Sequence, residues 1–158
     1  IGQASFTVRD DDNIDKALQI AQSRSLGLIE DCFPDLVIGK EQRQIQNHSE
    51  ATYCGLRIPE DGCIDWEQSA QQIHNFIRAQ CYPYPGAFTL IREEKIFIQK
   101  ASVDNREIYA VPGSVFERQN DFVVIGCGTG AIVVERVTNI QGEQLSPRAV
   151  FTSLRNRM

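Results

Sequence analysis

Apolar residues recur along this chain with two different periods, and the change of period organises it. Ile14, Leu18, Ala21, Leu28, Ile29 and Cys32 fall at helical spacing. Asp12 stands where an N-cap belongs and Asp15 at the capping-box position. The spacing predicts one helix, weakened internally by Gly27 and limited by Pro34. Residues 5–8 (Ser-Phe-Thr-Val) read as a short strand before it, and the apolar run 36–38 after it ends at Gly39. Residues 40–50 are polar and read as a connector. Residues 51–65 mix apolar and turn residues without a clear period, which predicts an extended linker lying on a surface, anchored by Tyr53, Leu56 and Ile58.

A second helix is more sharply written. Ser69 and Gln72 form a capping box, and Ile73, Phe76 and Ile77 make one apolar stripe. Trp66 precedes the cap and is placed to pack back on the first turn, and Arg78 favours the helix dipole at the other end. Tyr82-Pro-Tyr-Pro-Gly86 then forces a corner, with either Tyr-Pro bond open to the cis form. The period turns to two from there. Residues 88–91 and 96–98 flank Arg92-Glu-Glu-Lys95 in a hairpin pattern, and residues 111–115 enter another strand. Residues 122–125 and 131–137 flank the glycine cluster 126–130. That cluster superficially resembles a nucleotide loop, but a dinucleotide fingerprint needs a helix next, and β-branched Ile132-Val-Val134 follows instead. It reads as a hairpin turn. Ser146-Pro147 starts a last helix, with Val150, Phe151 and Leu154 turned to the core. Five or six short strands between helices predict an α+β chain ending in a small OB-like antiparallel barrel.

Composition narrows the class. With 158 residues, 42% of them hydrophobic, the chain suits one domain, or a small domain plus part of another. It has no apolar run of membrane-spanning length and no signal-peptide pattern. Five cysteines (Cys32, Cys54, Cys63, Cys81, Cys127) show no C-x-x-C spacing, so they are expected to be reduced thiols in a cytoplasmic protein, with no metal site. The net charge of -5 argues weakly against a nucleic-acid binder. The acidity lies in residues 1–66, with 12 acidic and 6 basic groups, whereas residues 67–158 carry 9 and 10.

Candidate chemistry is thin. Asp10-Asp-Asp12 reads as a solvated loop before a helix, not a metal cluster. His48 lies in a polar stretch with no second ligand near it in sequence, and His74 lies off the centre of the helix stripe; neither is assigned as a base. No residue is assigned to catalysis, substrate binding or metal.

The phrases Ile64-Asp-Trp66, Ile73-His-Asn75, Arg78-Ala79 and the run 83–88, with 110–114 and 126–130 after them, resemble in order and spacing the C-terminal domain of folate-dependent formyltransferases. Glu50-Ala-Thr-Tyr53 resembles that family's interdomain linker, and Ile1-Gly-Gln3, Phe6-Thr-Val8 and Asp11-Asp12 the end of its Rossmann-like catalytic domain. The resemblance implies residues 1–49 as a catalytic-domain remnant, 50–66 as linker and 67–158 as an OB-like C-terminal domain. It implies formyl transfer from formyl-tetrahydrofolate to a primary amine, by an Asn, a His and an Asp that would lie upstream of Ile1. This chain alone is then expected to be inactive. The tRNA-acting members carry lysines in the linker, whereas residues 55–62 here hold one Arg against two acids. That favours an amino sugar nucleotide as acceptor over initiator methionyl-tRNA. The alternative is a non-catalytic OB-like binding module for RNA, a sugar nucleotide or a partner domain.

Overall fold

The computed structural model describes residues 1–152, in two compact units, Ile1–Arg57 and Ile58–Met158. Leu154, expected in the core, lies outside the described residues.

The first unit is built on α1, Ile14–Val37. Its N-cap is Asn13, whose side chain accepts from Lys16 N at 2.9 Å, one residue later than expected. Asp12 is already committed, because its carboxylate accepts from Arg9 N at 2.8 Å. Asp15 likewise leaves the capping-box role and accepts from Gln19 Nε2 at 2.9 Å. Pro34 does not stop the helix either. It sits in the last turn of an exposed segment, where water can satisfy the Glu30 carbonyl that its ring leaves without a donor. Residues 36 and 37 thus belong to α1. The end comes at Gly39, at φ 67°: Lys40 N bonds Asp35 O at 2.8 Å and Gly39 N bonds Leu36 O at 3.3 Å, a Schellman closure. Residues 5–8 form no strand, since no second segment among the described residues of this unit pairs with them. Upstream of them, Gly2 lies close to Leu28 and Cys32 of α1. No residue of α1 is buried.

The second unit has a full core. A turn at Pro59–Gly62 leads into residues 63–66, where Ile64 and Trp66 are buried and Cys63 and Asp65 exposed. This end of the expected linker therefore has a period of two, and Ile64 N bonds Phe88 O at 2.8 Å. α2, Ala70–Gln80, is capped as the sequence indicates: Gln72 Oε1 accepts from Ser69 N at 3.0 Å, and Ser69 Oγ accepts from Gln72 N at 3.3 Å. The corner carries a cis Tyr82–Pro83 bond. Six antiparallel strands follow: β1 (Ala87–Ile91), β2 (Glu94–Val103), β3 (Val115–Arg118), β4 (Val123–Gly126), β5 (Ala131–Thr138) and β6 (Gln144–Leu145). The short α3, Pro147–Val150, comes after them. The β1–β2 loop is only Arg92-Glu93, both at positive φ (51° and 71°), a tighter turn than the four residues expected.

The strand order is β1-β2-β5-β4-β3, with β6 also on β5. This path is open, with β1 and β3 at its ends, so closure into the small OB-like barrel expected from the sequence is not seen among the described residues. α2 and α3 cover one face, where Ile73 and Ile77 of α2 pack in one core with Ile98, Val123, Ile132 and Val137 of the sheet. The loop between β2 and β3 folds over the other face and buries Ile108 against Val124 and Ala131. Arg106 closes that loop by bonding Asp104 at 2.7 Å and Glu117 at 2.8 Å. The Arg106 guanidinium holds the Asp104 carboxyl below the usual range, and Gln119 and Arg106 together hold Glu117 below it.

The glycine cluster is a docking hairpin, and its chemistry is steric. Gly128 N is shared between Trp66 O and Gln68 O, each at 2.9 Å, and Ala70 N bonds Thr129 O at 2.9 Å. A Cβ at Gly128 would lie 1.9 Å from Glu67 O.

Two expectations follow. Gly128→Ala should cost about 3 kcal/mol by overpacking and lower the melting temperature by roughly 10 °C or more. Gly55→Ala, with nothing within 4 Å of its Cβ, is the control and should melt like the parent. Equal melting of the two variants would show that the hairpin does not seat closely. The second concerns pH. Asp104 and Glu117 have depressed folded-state values, so their contribution is complete above the ordinary carboxylate range, starts to fall there, and is lost as pH drops through the lower folded-state values. Hydrogen-exchange protection of residues 104–114 should therefore hold down to about pH 5 and drop below about pH 4. In Arg106→Met it should be low and flat across that range.

Candidate functional site

The residues weighed for chemistry from the sequence fall in both units. Asp10, Asp11 and Asp12 lie in the turn before α1, and no group of three or more His, Cys, Asp or Glu among the described residues is arranged to hold a metal ion. His48 begins a short turn, His48–Glu50, in the first unit. His74 is half-buried on α2 in the second.

His48 and Glu50 border an open polar cavity of about 560 Å³, lined otherwise by residues 1–3, 44–47 and 51. Its walls carry amides, one imidazole and one carboxylate. They supply hydrogen-bonding groups but no nucleophile paired with a base. Cys32, on α1, packs against Gly2 and does not line the cavity.

A second cavity, of about 300 Å³, lies wholly within the second unit, beside the start of α2. Its floor is Ile64, Ile73 and Phe76. Its rim is Asp65, Gln68 and Gln72, with Asp61 and Cys63 at one side. The rim is fixed by the same bonds that cap the helix. Asp65 Oδ1 accepts from Glu67 N at 3.0 Å and Oδ2 from Gln68 Nε2 at 2.9 Å. These bonds, the Gln68 side chain first, hold the Asp65 carboxyl below its ordinary range. Gln72 Oε1 is held by Ser69 Oγ at 2.7 Å. The sequence showed Ser69 and Gln72 only as a cap, and Asp65 only as the end of a linker. The missed signal is the alternation at Gly62, Ile64 and Trp66, which puts Cys63 and Asp65 on the solvent side.

Cys127, in the docking hairpin, is no nucleophile: burial pushes its thiol up to about 11. Trp66 Nε1 donates to Thr89 Oγ1 at 3.1 Å inside the core, so these two polar groups serve packing.

The second unit is thus an open antiparallel sheet clasped to one capped helix, with a small built cavity and no assembled centre for covalent chemistry among its described residues. Residues 57–155 match the family model described as formyl transferase, C-terminal domain, and the chain belongs to that family. The methionyl-tRNA formyltransferase of Marinobacter nauticus is 41% identical over 98 residues, which is 62% of this chain and 30% of that protein. Among solved structures, a variant of HypX from Aquifex aeolicus superposes with a TM-score of 0.67 at 18% identity, over 94% of this chain and 27% of that one. The N-formyltransferase from Helicobacter canadensis, solved with folinic acid and dTDP-3-aminofucose, gives 0.61 at 19%, over 82% of this chain and 47% of that one. Those two likenesses speak to fold. The chain spans less than half the length of each of these relatives. No helix among the described residues is long and apolar enough to cross a membrane.

The thiols give a direct check of the site geometry. Cys54 and Cys63 are exposed, and Cys81 and Cys127 buried. Iodoacetamide at pH 7.5, read by peptide mass spectrometry, should modify Cys54 and Cys63 in the native protein and leave Cys127 untouched until denaturant is added. Labelling of native Cys127 at the rate of Cys54 would contradict the buried hairpin.

Proposed function

We propose that the chain is the C-terminal part of a formyltransferase that moves a formyl group from formyl-tetrahydrofolate to a primary amine. In this reading residues 1–49 are the end of the catalytic domain, 50–66 the linker and 67–158 the C-terminal domain. The second unit is an OB-like relative whose seam between β1 and β3 is unpaired. The protein works in the cytoplasm, where its thiols stay reduced.

The observation that carries this reading is the contrast between the units. α1 runs for 24 residues without burying one, and Leu26, Ile29, Phe33 and Val37 are between 56% and 66% exposed. An amphipathic helix of that length gains its stability from tertiary packing of its apolar face. That uncovered face fits a helix belonging to a larger α/β domain. The second unit has the buried core of a module that stands alone.

The chemistry requires more than these residues supply. The amine attacks the formyl carbon, loses a proton, and the tetrahedral oxyanion collapses with loss of tetrahydrofolate. A base and positioned donors must meet at one point. The family places an Asn, a His and an Asp there, on the Rossmann-like domain, and His48, His74 and Asp10–Asp12 match none of them. The acceptor we favour is an amino sugar nucleotide, because residues 55–62 carry Arg57 against Glu60 and Asp61, a poor balance for tracking phosphates. Methionyl-tRNA is the second candidate, supported by the tRNA-acting relative.

The test is a formyl-transfer assay on residues 1–158, with formyl-tetrahydrofolate and either a dTDP-amino sugar or methionyl-tRNA. Neither acceptor should be formylated by this chain alone. Fused behind a formyltransferase catalytic half, it should support turnover with the amino sugar nucleotide. Turnover by residues 1–158 alone would overturn the assignment of chemistry to a separate half. An inert fusion that still binds RNA or a sugar nucleotide would favour the binding-module reading.

A further inference from the structure

We infer that the cavity beside the start of α2 is a binding site for a compact organic cation: an ammonium or guanidinium group on a short apolar body. The site is independent of the formyl-transfer reading, since it lies wholly in the second unit and uses no residue assigned to that chemistry.

The argument rests on how the cavity is built. Its volume, about 300 Å³, is at the small end of ligand pockets. Its floor is apolar and rigid: Ile64 and Ile73 belong to the core, at 5% and 2% exposure, and Phe76 packs against that core. The polar groups are few and fixed in advance. Gln68 spends its amide N–H on Asp65, which leaves its carbonyl oxygen as an acceptor. Gln72 spends its carbonyl oxygen on Ser69, which leaves its N–H groups as donors. Asp65 is held by one backbone and one side-chain donor, so its carboxylate stays ionised and oriented without a cation of its own. A rim that offers the Asp65 carboxylate and the Gln68 amide oxygen beside the Gln72 N–H groups, above an apolar floor of Ile64, Ile73 and Phe76, complements a cation whose body is apolar.

The chemistry has two sources, a free amine or the arginine side chain of a protein partner, and the probes separate them. Benzylammonium stands for the first, and Nα-acetyl-arginine amide for the second. Benzyl alcohol is the neutral control. Each is titrated into the 158-residue chain while the methyl resonances of Ile64 and Ile73 and the indole of Trp66 are followed by NMR. At least one cation should give saturable shifts, with benzyl alcohol about tenfold weaker or more. Saturation by benzylammonium alone assigns the site to a free amine. Saturation by the arginine amide alone assigns it to a protein side chain, and saturation by both supports the shared chemistry. Asp65→Asn keeps the turn that starts α2 and should bring the cations down to the level of the alcohol, with α2 amide shifts unchanged. The comparison of probes on the parent chain stands even where that variant folds poorly. No saturable shift with either cation, or equal binding of cation and alcohol, overturns the proposal.

Discussion

The second unit depends on one close backbone contact. Gly128 brings its N–H between the carbonyls of Trp66 and Gln68, and Thr129 gives its carbonyl to Ala70 N. The β4–β5 hairpin is thereby fastened to the turn that starts α2. Only glycine allows it, since the nearest carbonyl oxygen occupies the place a Cβ would need. Several features follow from this seat. Trp66 is fixed with its indole toward Thr89, Ser69 is held where it can cap α2, and Ile73 and Ile77 face the sheet. The rim side chains Asp65, Gln68 and Gln72 stand on and beside these anchored positions, so their order is inherited in part from the hairpin.

The two units bury their apolar residues very differently. In the second, both faces of β4 and β5 are covered, and Val123, Val124, Ile125 and Ile132 have no exposure. At roughly 25 cal/mol per Å² of apolar area, such cores are the main source of stability. In the first, the helix ends are well closed by Asn13 and Gly39, but caps contribute only about 1 kcal/mol each. Good local structure without a core is what the proposed place of residues 1–49 in a larger domain would give.

Local rules were legible in the sequence wherever one residue has one use. Ser69 and Gln72 have no competing partner, so the capping box could be read and is there. The glycine cluster could be told from a nucleotide loop because Ile132, Val133 and Val134 exclude a following helix. Its docking role could not be seen, because Glu67 and Gly128 are far apart in sequence. Reading failed where residues compete or where tertiary context decides. Asp12 and Asn13 are both good caps, and Asp12 was drawn off by Arg9. Pro34 is tolerated because its cost falls on an exposed carbonyl near a helix end. Arg92 and Glu93 adopt the positive-φ turn without the Asn-Gly that announces it, because the strand register imposes it. Residues 5–8 carry a strand pattern, but pairing requires a partner that composition cannot supply. The strand count suggested a barrel, but closure depends on whether β1 meets β3, and no local signal encodes that.

The distribution of rigidity separates the two activities argued for this protein. Catalysis of amine formylation needs a base and oxyanion donors held to a fraction of an ångström, which demands a packed frame around them. The His48 and Glu50 side chains stand on a connector in the unit that lacks a core, so they are not held in that way. Asp65, Gln68 and Gln72 stand on a backbone fastened to the sheet by two glycine-hairpin bonds and a capping box. Recognition at that rim draws its order from the second unit alone. In the proposed reading, formyl transfer would draw its order from a larger domain to which α1 belongs.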